Sequence, residues 1–146
     1  DTIKDSNNFS KIFLNSKIEE GLIDLDNTSL TWKNSADFTL SNSLLYVKKG
    51  ELIVDGSLKI NIVDYKQIYK FLLTPKKFRK KITQIDLNYT YNLDKKIISL
   101  KDIRVDNKFH QNLNKMINNI SLKNDGLQNK IYLRKILNEA IKSYAG

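Results

Sequence analysis

The feature that most limits what this chain can fold into is a residue-by-residue alternation of apolar and polar side chains. It begins at Ile18 and persists through most of the stretch to Asp106. Leu52, Val54, Leu58, Ile60 and Ile62 fall on one side, and Asp55, Ser57, Lys59 and Asn61 on the other. Ile85, Leu87, Tyr89, Tyr91 and Leu93 repeat the pattern against Gln84, Asp86, Asn88, Thr90 and Asn92. Successive side chains of a strand point to opposite faces, so this period predicts antiparallel strands with one buried face and one wet face. Turn-forming pairs punctuate the run at Asn27-Thr28, Lys33-Asn34, Lys49-Gly50 and Asp94-Lys95, which are the expected hairpin corners. Gly56 interrupts its strand pattern and predicts a bulge or bend there. In Ile97–Val105 the apolar phase slips between Leu100 and Ile103, which asks for a second bulge.

The period changes in two places. Asp64 is a good N-cap, and Tyr65, Ile68, Tyr69 and Leu72 follow it at helical spacing. Thr74-Pro75 then restarts the chain, with Pro75 at the first helical position of a short KKFRKK turn. After Val105 the alternation ends. Leu113, Met116, Ile117 and Ile120 make one amphipathic helix; Leu133, Ile136, Leu137, Ala140, Ile141 and Tyr144 make another, with Asn124-Asp125-Gly126 between them. The expected fold is therefore α+β: an antiparallel β-meander forming a one-sided, curved sheet, interrupted by a short helix and closed by two C-terminal amphipathic helices. Residues 1–17 read as a ragged leading segment or partial strand. Residues 18–146 read as one β-rich domain, with the sheet over 18–106, the helical insertion at 64–81 and the C-terminal helices over 109–145.

Several functions are excluded by what the chain lacks. It has no cysteine, which removes disulfides, thiolate metal sites and cysteine nucleophiles together. No apolar run approaches the roughly 20 residues of a transmembrane helix. The first residue is Asp1 and no charged-then-apolar leader follows it, so the chain reads as a fragment or processed piece whose anchor or signal lies upstream. His110 is the single histidine and, beside Phe109 at a helix start, reads as a capping or surface residue; a metal site would need carboxylates alone. Asp24 and Asp26 sit two apart on one strand face, a spacing that suits a hard cation or acid–base chemistry. With no further ligand in register, they read as a strand running into a turn. No serine stands in a nucleophile elbow and no glycine-rich loop is present. The residues accordingly predict no catalytic group, no metal and no cofactor.

The net charge of +9 is unevenly spread. Residues 1–63 carry seven lysines against nine acids, whereas residues 64–146 carry eighteen basic residues against seven acids. Only Arg79, Arg104 and Arg134 are arginines, which disfavours nucleic acid, where bidentate phosphate and base recognition uses Arg. Lys, Asn and Ile are jointly abundant, as in AT-rich coding sequences, so part of the charge is a solvated face. The sharpest feature is Lys76, Lys77, Arg79, Lys80 and Lys81 around Phe78, a candidate contact for an anionic membrane surface. Tyr89 and Tyr91 share a face with Ile85 and Leu87 and read as sheet lining, not as a base-stacking platform.

GLIDLDNTSLTW (residues 21–32), LYVKKGELIVDGSLKINIVD (residues 45–64) and YKQIYKFLLTPKKFRKKITQIDLNYTYNLDKKIISLKDIRVD (residues 65–106) together resemble the C-terminal region of AsmA-like envelope proteins. The likeness lies in a strand pair with the pattern G-x-L-x-V-D-G-x-L-x-I, a short helix in mid-sheet, and a return hairpin ending L-x-D-I-x-V-D; IYLRKILNEAIKSYAG resembles the close of such a protein. The resemblance covers about residues 18–146. It implies a periplasmic segment of a protein anchored in the inner membrane of a Gram-negative bacterium, contributing to phospholipid transport or outer-membrane assembly. Its partners would be phospholipid or a membrane surface and the upstream part of the same polypeptide, with no nucleic acid. On this expectation Leu52, Val54, Leu58, Ile60, Ile62, Ile85, Leu87, Tyr89 and Tyr91 line an apolar groove for acyl chains. A lipid groove and an ordinary core read alike in sequence, and the two C-terminal helices are able to cover the same face. The alternative is a small basic module that binds an anionic membrane surface or, less readily, nucleic acid.

Overall fold

A computed structural model of the chain describes residues 9–13, 17–19, 22–118, 122–123 and 130–146. The described strands form one antiparallel sheet, and the fold is α+β. Four long strands carry it: β5 (Ala36–Lys48), β6 (Glu51–Ile62), β7 (Gln84–Asn92) and β8 (Ile97–Val105) run up and down as consecutive neighbours. Their corners are tight because the sequence supplies residues that tolerate a left-handed backbone. Lys33 and Asn34 have φ of 46° and 52°, Lys49 and Gly50 have 52° and 78°, and Asp106 and Asn107 have 48° and 66°. At Lys49-Gly50 and Asp106-Asn107 positive φ at both central residues gives the two-residue hairpin whose twist matches that of the strands, whereas Lys33-Asn34 belongs to a three-residue loop that Ser35 completes.

The order departs from a plain meander on either side of this unit. β1 (Phe9–Phe13) pairs with β4 (Ser29–Trp32), while β2 (Lys17–Glu19) pairs with β3 (Leu22–Asp24). β4 and β3 then dock end to end along the same edge of β5, through Ala36–Thr39 and Leu44–Leu45 respectively. Phe9–Phe13 and Lys17 of the leading segment are thus part of the sheet. The sheet also continues past Val105: β9 (Lys108–Phe109) folds back on β8, and β10 (Leu122–Lys123) pairs with Ile97 and Ile98. Strands of two or three residues are too short to show a period, which is why the alternation did not reveal them.

Both bulges exist, one in an unexpected strand. On β8 the pairing slips between Asn88↔Lys101 and Asp86↔Arg104, with Asp102 at φ 54°, where the apolar phase predicts it. The bulge near Gly56 lies across from it, on β5, between Ser41 and Leu44. Gly56 itself stays in register with Tyr89. Its missing side chain makes room for the bulge: a Cβ there would stand 2.2 Å from Ser43 Oγ and 2.6 Å from Ser43 Cα.

Three described helices pack on one face of the sheet. Helix α1 (Tyr65–Leu72) starts where Asp64 accepts from the Gln67 N–H at 3.1 Å, and ends on left-handed Leu73 before Thr74-Pro75. A 3-10 turn over Lys76–Phe78 follows Pro75. Helix α2 (Gln111–Asn118) lies on β8, and α3 (Lys130–Ala145) lies on α2 and touches α1. Ile120 and Asn124-Asp125-Gly126 lie outside the described residues. The core joins Leu87, Tyr89, Ile103 and Val105 of the sheet to Tyr69, Leu113 and Ile117 of the helices. Two buried hydroxyls, those of Tyr69 and Thr74, are paired, as their desolvation demands. The Tyr69 hydroxyl donates to the Lys80 carbonyl at 2.6 Å, and burial pushes it up to about 12. Thr74, 1 % exposed, donates to Asn138 of α3, whose amide donates to the Leu72 carbonyl, locking α3 against the end of α1.

Candidate functional site

Residues paired across antiparallel strands share a face, so the register sorts the apolar side into rows. Leu30, Phe38, Ile60, Ile85 and Val105 form one row across β4 to β8. Leu40, Leu58 and Leu87 form the next. Beyond the bulge, Leu45, Val54, Tyr91 and Ile98 form another, with Val47 and Leu52 after it. All nine residues predicted to line a groove stand on this face, but the helices divide them. Leu87 and Tyr89 are each 8 % exposed and belong to the core, with Val54, Leu58, Ile62 and Ile85 packed against it. Leu52, Ile60 and Tyr91 are half-buried and stand outside that cluster, as do Leu30, Phe38, Leu45 and Ile98. The apolar face is therefore continuous as a surface but covered only in part. The face opposite is polar, with a shallow depression of about 410 Å³ bordered by Ser57, Lys59, Asp86, Asn88, Asp102 and Arg104. Apolar residues also stand on that side: Ile53, 9 % exposed and in register with Tyr46 and Asn92, Leu44 opposite Asp55, and Ile97 opposite Asn92.

The predicted basic cluster is split by its surroundings. Lys76, Lys77, Lys80 and Lys81 are exposed. Lys77 Nζ lies 4.9 Å from the Phe78 ring centre and Lys80 Nζ lies 5.7 Å from that of Tyr144, so both lie along aromatic faces. Arg79 turns the other way. Its Nε–H donates to the Thr74 carbonyl at 2.7 Å, and its side chain lines a cleft of about 600 Å³ with Lys33, Asp64, Lys66, Gln67, Lys70 and Phe71. The Phe71 ring meets Trp32 edge-on at 4.9 Å, carries Lys33 Nζ at 4.7 Å and has the Arg134 guanidinium at 5.0 Å. Arg134 Nε is shielded from solvent and has no hydrogen-bond partner. Lys33, Phe71 and Arg134 come from three separate parts of the chain, and no local spacing links them. Lys66 and Lys70, four apart with no acid between, were the one legible sign.

The remaining candidates have structural work. Asp24 accepts from the Asp26 N–H at 2.8 Å, and Asp26 accepts from the Ser43 N–H at 2.8 Å, closing the β3–β4 turn onto the β5 bulge. The Tyr89 hydroxyl donates to Ser43 Oγ at 2.8 Å beneath it. His110 stacks edge-on against Tyr144 at 4.7 Å, and its carbonyl accepts from the Asn114 N–H, opening α2. Asn114 itself went unnoticed in the sequence. It is 5 % exposed and acts as a surrogate strand: its Oδ1 accepts from the Ile103 N–H at 2.7 Å and its amide donates to the Ile103 carbonyl at 2.9 Å. The β8 bulge would otherwise leave that buried backbone unpaired. Among the described residues no three His, Cys, Asp or Glu side chains are grouped to hold a metal ion, and no helix is long and apolar enough to cross a membrane. Compared with protein-family models, with curated proteins and with solved structures, the chain matches none.

Proposed function

We propose that this chain is a non-catalytic segment of an AsmA-like envelope protein, a sheet whose uncovered apolar rows shelter phospholipid acyl chains in the periplasm. The observation that carries this reading is the partial cover of the apolar face. Leu30, Phe38 and Ile60, and then Leu45, Leu52, Tyr91 and Ile98, are only partly buried and stand outside the core cluster that packs under the helices. From Ile60 to Leu52 the strand β6 runs eight residues, roughly 26 Å at about 3.3 Å each. One leaflet of a bilayer's hydrocarbon core is roughly 15 Å, so an acyl chain fits along it. Each buried methylene contributes roughly 0.8 kcal/mol, so about ten of them give about 8 kcal/mol before the cost of ordering the chain. Plain aliphatic side chains suffice for this, and no polar motif is needed.

The test is native mass spectrometry of the chain purified from bacterial cells, read for co-purifying phospholipid. Bound lipid is expected in the parent, to disappear in Phe38→Asp/Ile60→Asp with circular dichroism unchanged. A lipid-free parent, or equal lipid in that variant, overturns the reading. The exposure of Lys76, Lys77, Lys80 and Lys81 favours a second reading, attachment to an anionic membrane surface. That reading requires vesicle binding that falls steeply with salt and is lost when these lysines become Gln.

A further inference from the structure

We infer that the cleft between the β4–β5 turn and α1 binds a phosphate group, held by Lys33, Lys66, Lys70 and Arg79 with Arg134 behind the Phe71 ring. Four cationic side chains line the cleft against one carboxylate, Asp64, whose oxygen already accepts from the Gln67 N–H at 3.1 Å. Among the described residues the only ion pair is Lys95–Glu51, on a distant hairpin, so none of the five cations has an ion-pair partner among the described residues. Like charges gathered in this way oppose folding unless something anionic sits among them. The arrangement is costly in local terms too. Lys66 stands in the first turn of α1, where the helix dipole disfavours a cation, and Lys70 follows it on the same face four residues on.

The cations are also positioned, not merely present. Arg79 is anchored through Nε–H to the Thr74 carbonyl at 2.7 Å, which leaves its terminal amino groups for a ligand. Lys33 is set by the left-handed β4–β5 turn, with its Nζ 4.7 Å from the Phe71 ring centre and 5.3 Å from that of Trp32. Arg134 reaches Phe71 from α3 at 5.0 Å, with an Nε–H buried and unsatisfied. Arginine and lysine together suit a phosphate, which accepts several charge-assisted hydrogen bonds at once. The cleft is shallow and open to solvent, so a ligand larger than the phosphate alone meets no wall on that open side. Trp32 shares its strand face with Leu30, beside the uncovered row Leu30–Phe38–Ile60, so the phosphate of a lipid and that of a small solute are both accommodated. The inference rests on residues distinct from that apolar row and stands without it.

Trp32 is the sole tryptophan and touches the cleft wall, so its fluorescence reports occupancy directly. The whole chain is titrated with inorganic phosphate and, separately, with dihexanoylphosphatidic acid below its micelle concentration. A saturable change in Trp32 emission is expected, weakening with added salt and at least about tenfold weaker in Lys33→Gln/Lys70→Gln. Equal affinity for both probes assigns the site to the phosphate group alone. Tighter lipid binding that Phe38→Asp lowers to the inorganic-phosphate level assigns it to a lipid head group whose chain lies on the apolar row. Lipid binding unaffected by Phe38→Asp removes the acyl reading and leaves the phosphate site in place. No saturable change with either probe overturns the inference. So does an equal loss in Lys76→Gln/Lys77→Gln/Lys80→Gln, which would make the effect one of diffuse charge.

Discussion

Replacing Gly56 with Ala tests the junction on which the sheet's geometry depends. The new methyl would sit 2.2 Å from Ser43 Oγ, 2.6 Å from Ser43 Cα and 2.7 Å from the Asn42 carbonyl oxygen. Two of those three atoms are backbone of the β5 bulge, so no rotamer change relieves them. β5 and β6 must part locally, which strains the Tyr89–Ser43 hydrogen bond and the Ser43 N–H bond to Asp26, both 2.8 Å. Overpacking of this kind costs about 1–3 kcal/mol and a buried hydrogen bond about 1 kcal/mol. A total of about 3 kcal/mol is expected, equivalent to roughly 10 °C in Tm for a domain of this size. Urea unfolding followed by circular dichroism should show the midpoint fall with the slope unchanged. Ser43→Ala/Gly56→Ala relieves the hydroxyl contact but also removes the acceptor of the buried Tyr89 hydroxyl, so it should recover less than half of the loss. A Gly56→Ala protein within 0.5 kcal/mol of the parent would refute the seating of the bulge against Gly56. Full recovery in the double variant would show that the constraint is the hydroxyl and not the backbone.

Asn114→Leu should destabilise by about 2–4 kcal/mol, because it strips both partners from the buried Ile103 backbone. Asn114→Asp keeps only the acceptor and should be no better near neutral pH, a ranking that the same unfolding experiment reads. Acid sensitivity should concentrate at Asp106. Burial pushes its carboxyl up, but the Thr83 N–H and hydroxyl, the Gln84 N–H and the Lys108 charge outweigh that and hold it below the usual carboxylate range. A group depressed in the folded state contributes stability above its unfolded value near 3.9 and loses it as pH falls through the folded value. The gap in stability between the parent and Asp106→Asn should therefore be widest near pH 6 and narrow below about pH 4. Parallel curves down to pH 2 would rule out the Asp106 contribution.

Much of the fold could be read locally because the signals are local. A two-residue period needs no partner to declare which side of a strand is apolar, and every groove candidate from Leu52 to Tyr91 does face one way. Asp64 caps α1 through its own turn, and Lys49-Gly50 makes its hairpin through its own backbone. The phase slip at Leu100–Ile103 marked a bulge in the strand that carries it. The Gly56 signal misassigned its bulge because a glycine there serves the neighbouring strand, whose approach the sequence of β6 does not encode.

What only the tertiary structure decided is what lies on the apolar face and what gathers at its edge. Alternation distinguishes inside from outside but says nothing of which helix comes to rest there. That depends on contacts such as Thr74 with Asn138, 64 residues apart, and Asn114 with Ile103 across the bulge. The helices settle over Leu87, Tyr89, Ile103 and Val105 and leave Leu30, Phe38, Leu45, Leu52, Ile60, Tyr91 and Ile98 outside the core cluster, so a single uniform pattern becomes core in one part and only partly buried in another. The cationic cleft has the same origin. Lys33 and Arg134 are unremarkable along the chain, and only the docking of α1 and α3 around Phe71 brings them to one place with Lys66, Lys70 and Arg79. Periodicity is a property of one segment at a time, whereas cover and charge convergence are properties of segments in contact.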